Sequence, residues 1–365
     1  MNIIFHHPLP LDPNAKSASG IRPMRMLQAF KELGHKVELV TGYAAERKAA
    51  IKRIKGQVKQ GVKFDFVYAE SSTMPTTMTD KHHLPLQPLL DFSFFRFCNK
   101  NNIPIGLFYR DIYWRFKEYG KNLNLLKKNA AKIAYWFDLW VYQKTLTRLY
   151  LPSMQMGEYV PLVSKNKFEA LPPGHLDNAV VDSTVRNNKL SLFYVGGMSS
   201  HYQLHVLFEV VRKFPEIQFT LCTREAEWQS VRHEYPEPSD NIHIIHKTGA
   251  AMEEYLKAAD IAVLYVKPQE YWEFAAPVKL YEYLGFHKPI LSSANTLVGQ
   301  FVQENGIGWA INYEAEALKK YLKQLLNQTN PFEKIRVQFE KIAPQHSWQA
   351  RAEQVINGLT RINYA

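Results

Sequence analysis

The sequence predicts an α/β protein of two doubly wound halves, and three observations predict it. Near the N-terminus an apolar strand, a polar loop, a helix and a second strand follow one another. From Leu190 to Ser293 strand and helix alternate regularly, which is the pattern of a parallel sheet. The chain has 365 residues, enough for two domains of ordinary size, and 46% hydrophobic with 22% charged residues is a globular composition.

In the first half, Asn2 to His7 reads as the opening strand, Asp12 to Gly20 as a polar loop, and Ile21 to Leu33 as a helix stopped at Gly34. The loop is expected beyond the strand's C-terminal end, where such sheets bind ligands, so Gly20 is an acceptor-side candidate; its ordinary alternative is to close the turn. Strand Lys36 to Thr41 follows, then a basic helical segment Ala44 to Lys63 with Arg47, Lys48, Lys52, Arg53, Lys55, Lys59 and Lys63. That segment is either a solvated face or a surface for anionic lipid. Phe64 to Glu70 is the next strand, and the polar connection after it holds His82 and His83, acceptor-side candidates with no third ligand at metal spacing. Ile103 to Asp111 reads as a strand whose charged end places Arg110 and Asp111 where catalytic groups belong; a plain ion pair is the alternative. Asn129 to Leu149 is helical and rich in rings, either core or membrane headgroup surface, and Arg148 to Ser153 and Phe168 to Pro173 read as the last strands.

Asp177 to Lys189 is the expected linker, between a first domain of residues 1–176 and a second of 187–344. The second half then runs strand Leu190 to Gly197, helix Tyr202 to Phe214, strand Ile217 to Thr223, helix Glu225 to Tyr235, strand Asn241 to His246, helix Met252 to Ala259 and strand Asp260 to Lys267. Gly196 and Gly197 follow an apolar strand directly, so the backbone there approaches a diphosphate closely or merely makes a tight turn. Pro277 is a favourable first helical residue for a helix to Gly285, with Ala276 as an N-cap lacking a side-chain acceptor. Free amides at that helix end suit a diphosphate, Lys279 neutralises phosphate charge, and Glu282, three residues on, accepts from the vicinal hydroxyls of a ribose. A solvated Lys/Glu pair is the ordinary alternative. Strand Pro289 to Ser293 and helices at Thr296 to Asn305 and Glu314 to Gln328 complete this half, and a last helix at about 345–365 carries Trp348, Ala352, Val355, Ile356 and Leu359 on one side.

The stretch PVKLYEYLGFHKPI resembles the donor-binding segment of GT-B glycosyltransferases of the family-4 type, and YVGGMSS and HKTG followed by YLKAADIAVLY resemble two other parts of the same site. The resemblance implies two Rossmann-like domains facing a central cleft, with a last helix that crosses back to the first. It gives Lys279 the donor diphosphate and Glu282 the ribose, and puts Lys247 and Thr248 near the base. A further glutamate is usual eight residues before the second; here that position is Phe274, with Glu273 and Glu270 nearby, and Glu273 is counted among the donor-binding candidates while the sugar-contacting glutamate stays open. The YRDIYW segment resembles an R-D-aromatic element on the acceptor side of bacterial polysaccharide glycosyltransferases. There Asp111 acts as general base, as an orienting group, or as the partner of Arg110.

Net charge of +11 and a pI near 9.3 favour an anionic partner. With Cys98 and Cys222 as the only cysteines, neither a disulfide framework nor a metal site is expected, and no apolar run reaches the roughly 18 residues that span a bilayer. The expectation is a cytoplasmic, metal-independent and retaining hexosyltransferase, free of cofactors and peripheral on the inner face of the plasma membrane. It moves a sugar from a nucleotide diphosphate donor to a glycan or lipid-linked glycan in bacterial surface polysaccharide biosynthesis. The alternatives are a GT-B-fold sugar-nucleotide epimerase and a basic nucleic-acid-binding protein. Against the latter, no compact basic-aromatic reader motif is present and Glu282 beside Lys279 repels a phosphate backbone.

Overall fold

The computed structural model describes residues 1–360 apart from Lys16, Glu118, Asn122, 177–188 and Asn330. The expected linker Asp177 to Lys189 therefore lies, except for its last residue, outside the described residues. The chain divides into two compact units, one of Met1–Pro173 with the C-terminal helix Trp348–Thr360, the other of Gly174–Ser347.

The first unit is a six-stranded parallel sheet of β1 (Asn2–His7), β2 (Lys36–Thr41), β3 (Phe66–Glu70), β4 (Ile105–Phe108), β5 (Arg148–Leu151) and β6 (Phe168–Ala170), in the order β2-β1-β3-β4-β5-β6. Helices α1 (Ala18–Glu32), α2 (Ala44–Lys59), α3 (Leu90–Lys100) and α4 (Leu125–Thr145) connect them. The strands are nearly continuous apolar runs because helices cover both faces of such a sheet. On one face Met26 and Phe30 of α1 and Ala352, Val355 and Leu359 of the C-terminal helix bury against Phe5, Tyr68 and Tyr150. Gly106 of β4 permits that approach, since a Cβ there would press on Tyr150 and Leu359. Strand order reverses between β1 and β3, so the ends of these two strands open a crevice.

The second unit repeats the plan with β7 (Leu190–Val195), β8 (Ile217–Cys222), β9 (Ile242–Ile245), β10 (Ile261–Leu264), β11 (Ile290–Ser293) and β12 (Gly308–Ile311), in the order β12-β11-β10-β7-β8-β9. All pairings are parallel, so all six C-terminal ends share one edge of the sheet. Its helices are α5 (His205–Val211), α6 (Glu225–Val231), α7 (Ala250–Ala258), α8 (Val278–Gly285), α9 (Leu297–Glu304), α10 (Ala315–Leu326) and α11 (Glu333–Ile342). The reversal here falls between β7 and β10.

Several boundaries differ from the expected ones. Helix α1 starts at Ala18, because the Ser17 carbonyl accepts the amides of Gly20 and Ile21 at 3.0 Å each. Gly20 therefore sits inside the helix rather than in the loop before it. Strand β4 ends at Phe108, which leaves Arg110 and Asp111 in coil and frees their side chains from strand alternation. Helix α4 starts four residues early, where the Asn124 side chain caps the Lys127 amide at 2.8 Å. Pro277 is the N-cap of α8 and not its first helical residue, since its ψ of 143° is extended. Helix α3, hidden in the ring-rich run LDFSFFRFCNK, and the short strand β12 were not anticipated.

Candidate functional site

In the second unit the expected donor residues gather along the C-terminal edge of the sheet. Strand β7 ends in Tyr194 and Val195, and the chain turns at Gly196 with φ of 151°. A side chain there would be strained by the positive φ and would push the Lys279 ammonium aside, so glycine keeps the lysine over the loop. Lys279, in the first turn of α8, points its Nζ back at this loop: it donates to Tyr194 Oη at 3.0 Å and lies 4.0 Å from the Tyr202 ring centroid and 4.5 Å from that of Tyr194. Tyr194 in turn donates to the Gly197 carbonyl at 2.8 Å. The loop is fastened to the segment before α8, since Trp272 Nε1 donates to the His201 carbonyl at 2.7 Å and Gln269 Nε2 to that of Ser200 at 2.7 Å. No side chain caps α8, although the Leu280 amide is already held by the Pro277 carbonyl at 3.1 Å.

Desolvation of Lys279 between the two tyrosines pushes its pKa down to about 7, against the pull of Glu282 and then Glu227. An ammonium with so low a pKa in the free protein is poised to gain charge stability from a phosphate. Glu282 is half-buried on the same helix. The adjoining strand ends extend the strip: Gly196 N–H donates to the Cys222 carbonyl at 3.0 Å, Thr223 N–H to that of Ile245 at 3.0 Å, and Cys222 Sγ to that of Lys247 at 3.3 Å. Lys247 and Thr248 are exposed in the loop after β9, beside Thr223. Glu273 is exposed on the turn Glu270–Glu273 and lines a cavity of about 640 Å³ with Thr296 and Gly299 of α9. Phe274, at the position of the family's earlier glutamate, is buried and packs edge-on against Tyr271 at 5.6 Å.

One residue of this strip was missed from sequence. Glu227 of α6 accepts the Met198 amide at 3.2 Å and the Arg224 guanidinium at 2.7 Å, and its Oε2 lies over Gly197. It thus holds negative charge at the glycine loop, next to Lys279. Glu227→Gln is expected to tighten nucleoside diphosphate binding several-fold by removing like-charge repulsion, read by calorimetric titration; unchanged affinity would place Glu227 outside the anion's reach.

The first unit has its own cluster, at its strand-order reversal. A cavity of about 310 Å³ there is lined by His7, Asp12, Gly20, Ser72 and Arg110 among others. Arg110 turns inward: its Nη2 donates to Glu70 Oε2 at 3.2 Å, and its amide donates to Ser71 Oγ at 3.0 Å. Glu70 is wholly buried and also faces Arg22 Nε at 3.3 Å and accepts from Tyr68 Oη at 2.9 Å. Burial and the Arg110 charge lower the His7 pKa to about 3, so its ring is neutral. Its Nδ1–H donates to the Glu70 carbonyl at 3.2 Å, which leaves Nε2 as an acceptor for a hydroxyl. His7, Glu70 and Arg22 were not singled out from sequence, although the signal was an acid closing the otherwise apolar run FVYAE.

Asp111 is half-buried and accepts the Tyr113 amide at 3.3 Å. Burial raises its carboxyl pKa, opposed by that amide and then by Arg110. His82 and His83 are exposed and bound locally: His82 Nδ1 accepts the Leu84 amide at 3.0 Å, and His83 Nδ1 lies 3.2 Å from the Met78 carbonyl. The structure does not bring them to the cavity. Of the basic segment after β2, Arg47 is no surface cation. It is buried and paired to Asp91 through Nε and Nη2, both at 3.0 Å, because α2 turns that face to the core.

Residues 178–346 match the family model described as Glycosyl transferases group 1. No curated protein matches the chain by sequence. Among solved structures, sucrose-phosphate synthase from Thermosynechococcus elongatus superposes with a TM-score of 0.68 at 13% identity, over 100% of this chain and 99% of that one. Anabaena Alr3699/HepE in complex with UDP-glucose gives 0.63 at 11%, over 99% and 100%. The lipopolysaccharide outer core galactosyltransferase WaaB gives 0.58 at 11%, over 99% and 100%. The chain accordingly has the GT-B fold, and the stretch similar to Glycosyl transferases group 1 lies within its second unit.

Proposed function

We propose that the protein is a metal-independent, retaining hexosyltransferase that takes a sugar from a nucleoside diphosphate donor. The observation that carries this reading is Lys279: a cation in the first turn of an uncapped helix, held over the glycine loop at the strand-order reversal. Those groups suit a diphosphate leaving group, whose developing charge a helix end and an ammonium stabilise as sugar transfer proceeds. Glu282 takes the ribose, and Lys247 and Thr248 border the base. The acceptor is bound by the first unit, where Arg110 and the His7 acceptor nitrogen orient a hydroxyl. The acceptor proposed is a glycan or lipid-linked glycan of a bacterial surface polysaccharide, which places the enzyme on the cytoplasmic side of the plasma membrane. The match to Glycosyl transferases group 1 supports the donor half of the reading, and similarity to a lipopolysaccharide galactosyltransferase makes such an acceptor the first to try.

A thermal-shift screen of nucleotide sugars, beginning with UDP-glucose, tests the donor. A ligand that binds only the native state raises Tm, by an amount that grows with concentration. If no nucleoside diphosphate or nucleotide sugar shifts the melt at millimolar concentration, the reading fails. Turnover of the nucleotide sugar without an acceptor would assign the epimerase reaction instead.

Asp111 is assigned acceptor orientation. Asp111→Asn should lower transfer with donor affinity and Tm little changed, and the product should keep the donor's anomeric configuration in its proton NMR spectrum. Inversion, with a loss of about 10²–10⁴-fold in Asp111→Asn, would make it the general base instead.

A further inference from the structure

Helix α4 presents an outer face unlike that of an ordinary surface helix. Its inner face, with Ala131, Ala134, Tyr135, Leu139 and Tyr142, is buried in the first unit. At 100° per residue, Leu125, Leu126, Ile133, Trp136 and Trp140 fall within one arc of about 100° on the opposite side. There they stand between 40% and 84% exposed, where a polar stripe belongs. The apolar surface continues onto the segment before α3, where Leu84, Leu86 and Leu89 are exposed, and Phe92 of α3 meets Trp140 at 5.0 Å.

Charge decides what covers this face. Between Leu123 and Lys144 the sequence holds Lys127, Lys128, Lys132 and Lys144 but one acid, Asp138, and that acid is buried. Arg96 lies over the Phe92 ring at 5.6 Å and Arg115 over that of Trp136 at 6.0 Å, which adds guanidinium groups at the border. A second copy docked face to face would set these cations against their like. Leucines at the tip, tryptophans behind them, Lys132 and Lys144 flanking the apolar arc and no exposed acid among the described residues of α4 match instead the interfacial layer of an anionic bilayer.

We infer that the outer face of α4, Leu125 to Lys144, together with the Leu84–Leu89 segment, docks the protein on anionic phospholipid. This deepens the proposed reading by supplying the surface from which a lipid-linked acceptor is reached. It also moves the contact away from α2: the exposed cations there, Lys48, Lys52, Arg53 and Lys59, have no exposed large apolar residue within the helix to accompany them.

Co-sedimentation of the full chain with phosphatidylglycerol-containing vesicles, against pure phosphatidylcholine, tests the inference. The protein should pellet with the anionic vesicles and be released by salt. Brominated lipid should quench tryptophan fluorescence, and the quenching should diminish in Trp136→Ser/Trp140→Ser. Leu125→Ser/Leu126→Ser and, separately, Lys132→Glu/Lys144→Glu, the two lysines that flank the apolar arc, should each lower partitioning about tenfold or more, with Tm held. Lys48→Glu/Lys52→Glu should lower it much less. Wild-type affinity in the leucine pair, equal pelleting with neutral vesicles, or a wild-type dimer that the leucine pair dissociates would each overturn it. Titration of UDP-glucose in the same variants stays at wild type, so failure of the docking face and failure of the donor reading give different results.

Discussion

Lys279→Met should weaken UDP-glucose binding by about 10- to 150-fold, the equivalent of roughly 1.5–3 kcal/mol for a charge-assisted contact. The same change should alter the pH dependence of binding. In the free protein the Lys279 pKa is about 7, so above that pH the amine is increasingly neutral. A bound diphosphate restores its charge, and binding then takes up a proton. Wild-type affinity for UDP-glucose, whose diphosphate diester does not titrate in this range, should therefore be flat below pH 7 and fall between pH 7 and 9, whereas the methionine variant should show no such slope. Calorimetric titration at pH 6, 7.5 and 9 reads both effects; equal affinity and an unchanged slope would remove Lys279 from the donor site.

Stability gives an independent readout of the same shift. The folded pKa lies below the ordinary 10.5, so the unfolded chain binds more protons between about pH 7 and 10.5 and wild-type stability rises with pH across that window. Below pH 7 the full cost of holding the desolvated charge is present. Lys279→Met should accordingly gain stability relative to wild type at pH 6, and that advantage should shrink by pH 9 and vanish only as the pH approaches 10.5. Glu282→Ala, which removes a charge that supports Lys279 and the proposed ribose partner, should weaken donor binding with the fold intact.

The largest expected loss of stability is from Glu70→Ala. Arg22 is 2% exposed, its guanidinium carbon sits 3.4 Å from the Phe108 ring centroid, and its Nη1 and Nη2 have no hydrogen-bond partner. Glu70 faces both Arg22 and Arg110, so deleting it leaves buried positive charge without its counter-ion. Such a loss costs about 3–5 kcal/mol, against total stabilities of about 5–15 kcal/mol. Urea unfolding should show it, and hydrogen exchange should accelerate in β1, β3 and β4 while the second unit keeps its protection. Unfolding at the wild-type midpoint would mean that water already neutralises the pair.

The alternation of apolar runs with helical segments determined the α/β class and most elements, because burial on both faces of a parallel sheet leaves a local mark in each strand. It also placed Lys279 and Glu282 on one short helix and the Gly196–Gly197 turn after a strand, since those are matters of near-neighbour spacing. Strand order, by contrast, is a pairing of distant segments, and only the fold puts Gly196, Cys222 and Lys247 on adjoining strand ends. The same holds for charge. Arg47 and Lys52 look alike in the sequence, yet one is buried on Asp91 and the other exposed, because the turn of α2 against the sheet decides which side meets water. Arg110 was legible as a strand-end residue, but its partner Glu70 comes from another strand, forty residues away in sequence. The rings of α4 read equally well as core or surface; the fold divided them, turning Tyr135 and Tyr142 inward and Trp136 and Trp140 outward, as a helix packed along one face must.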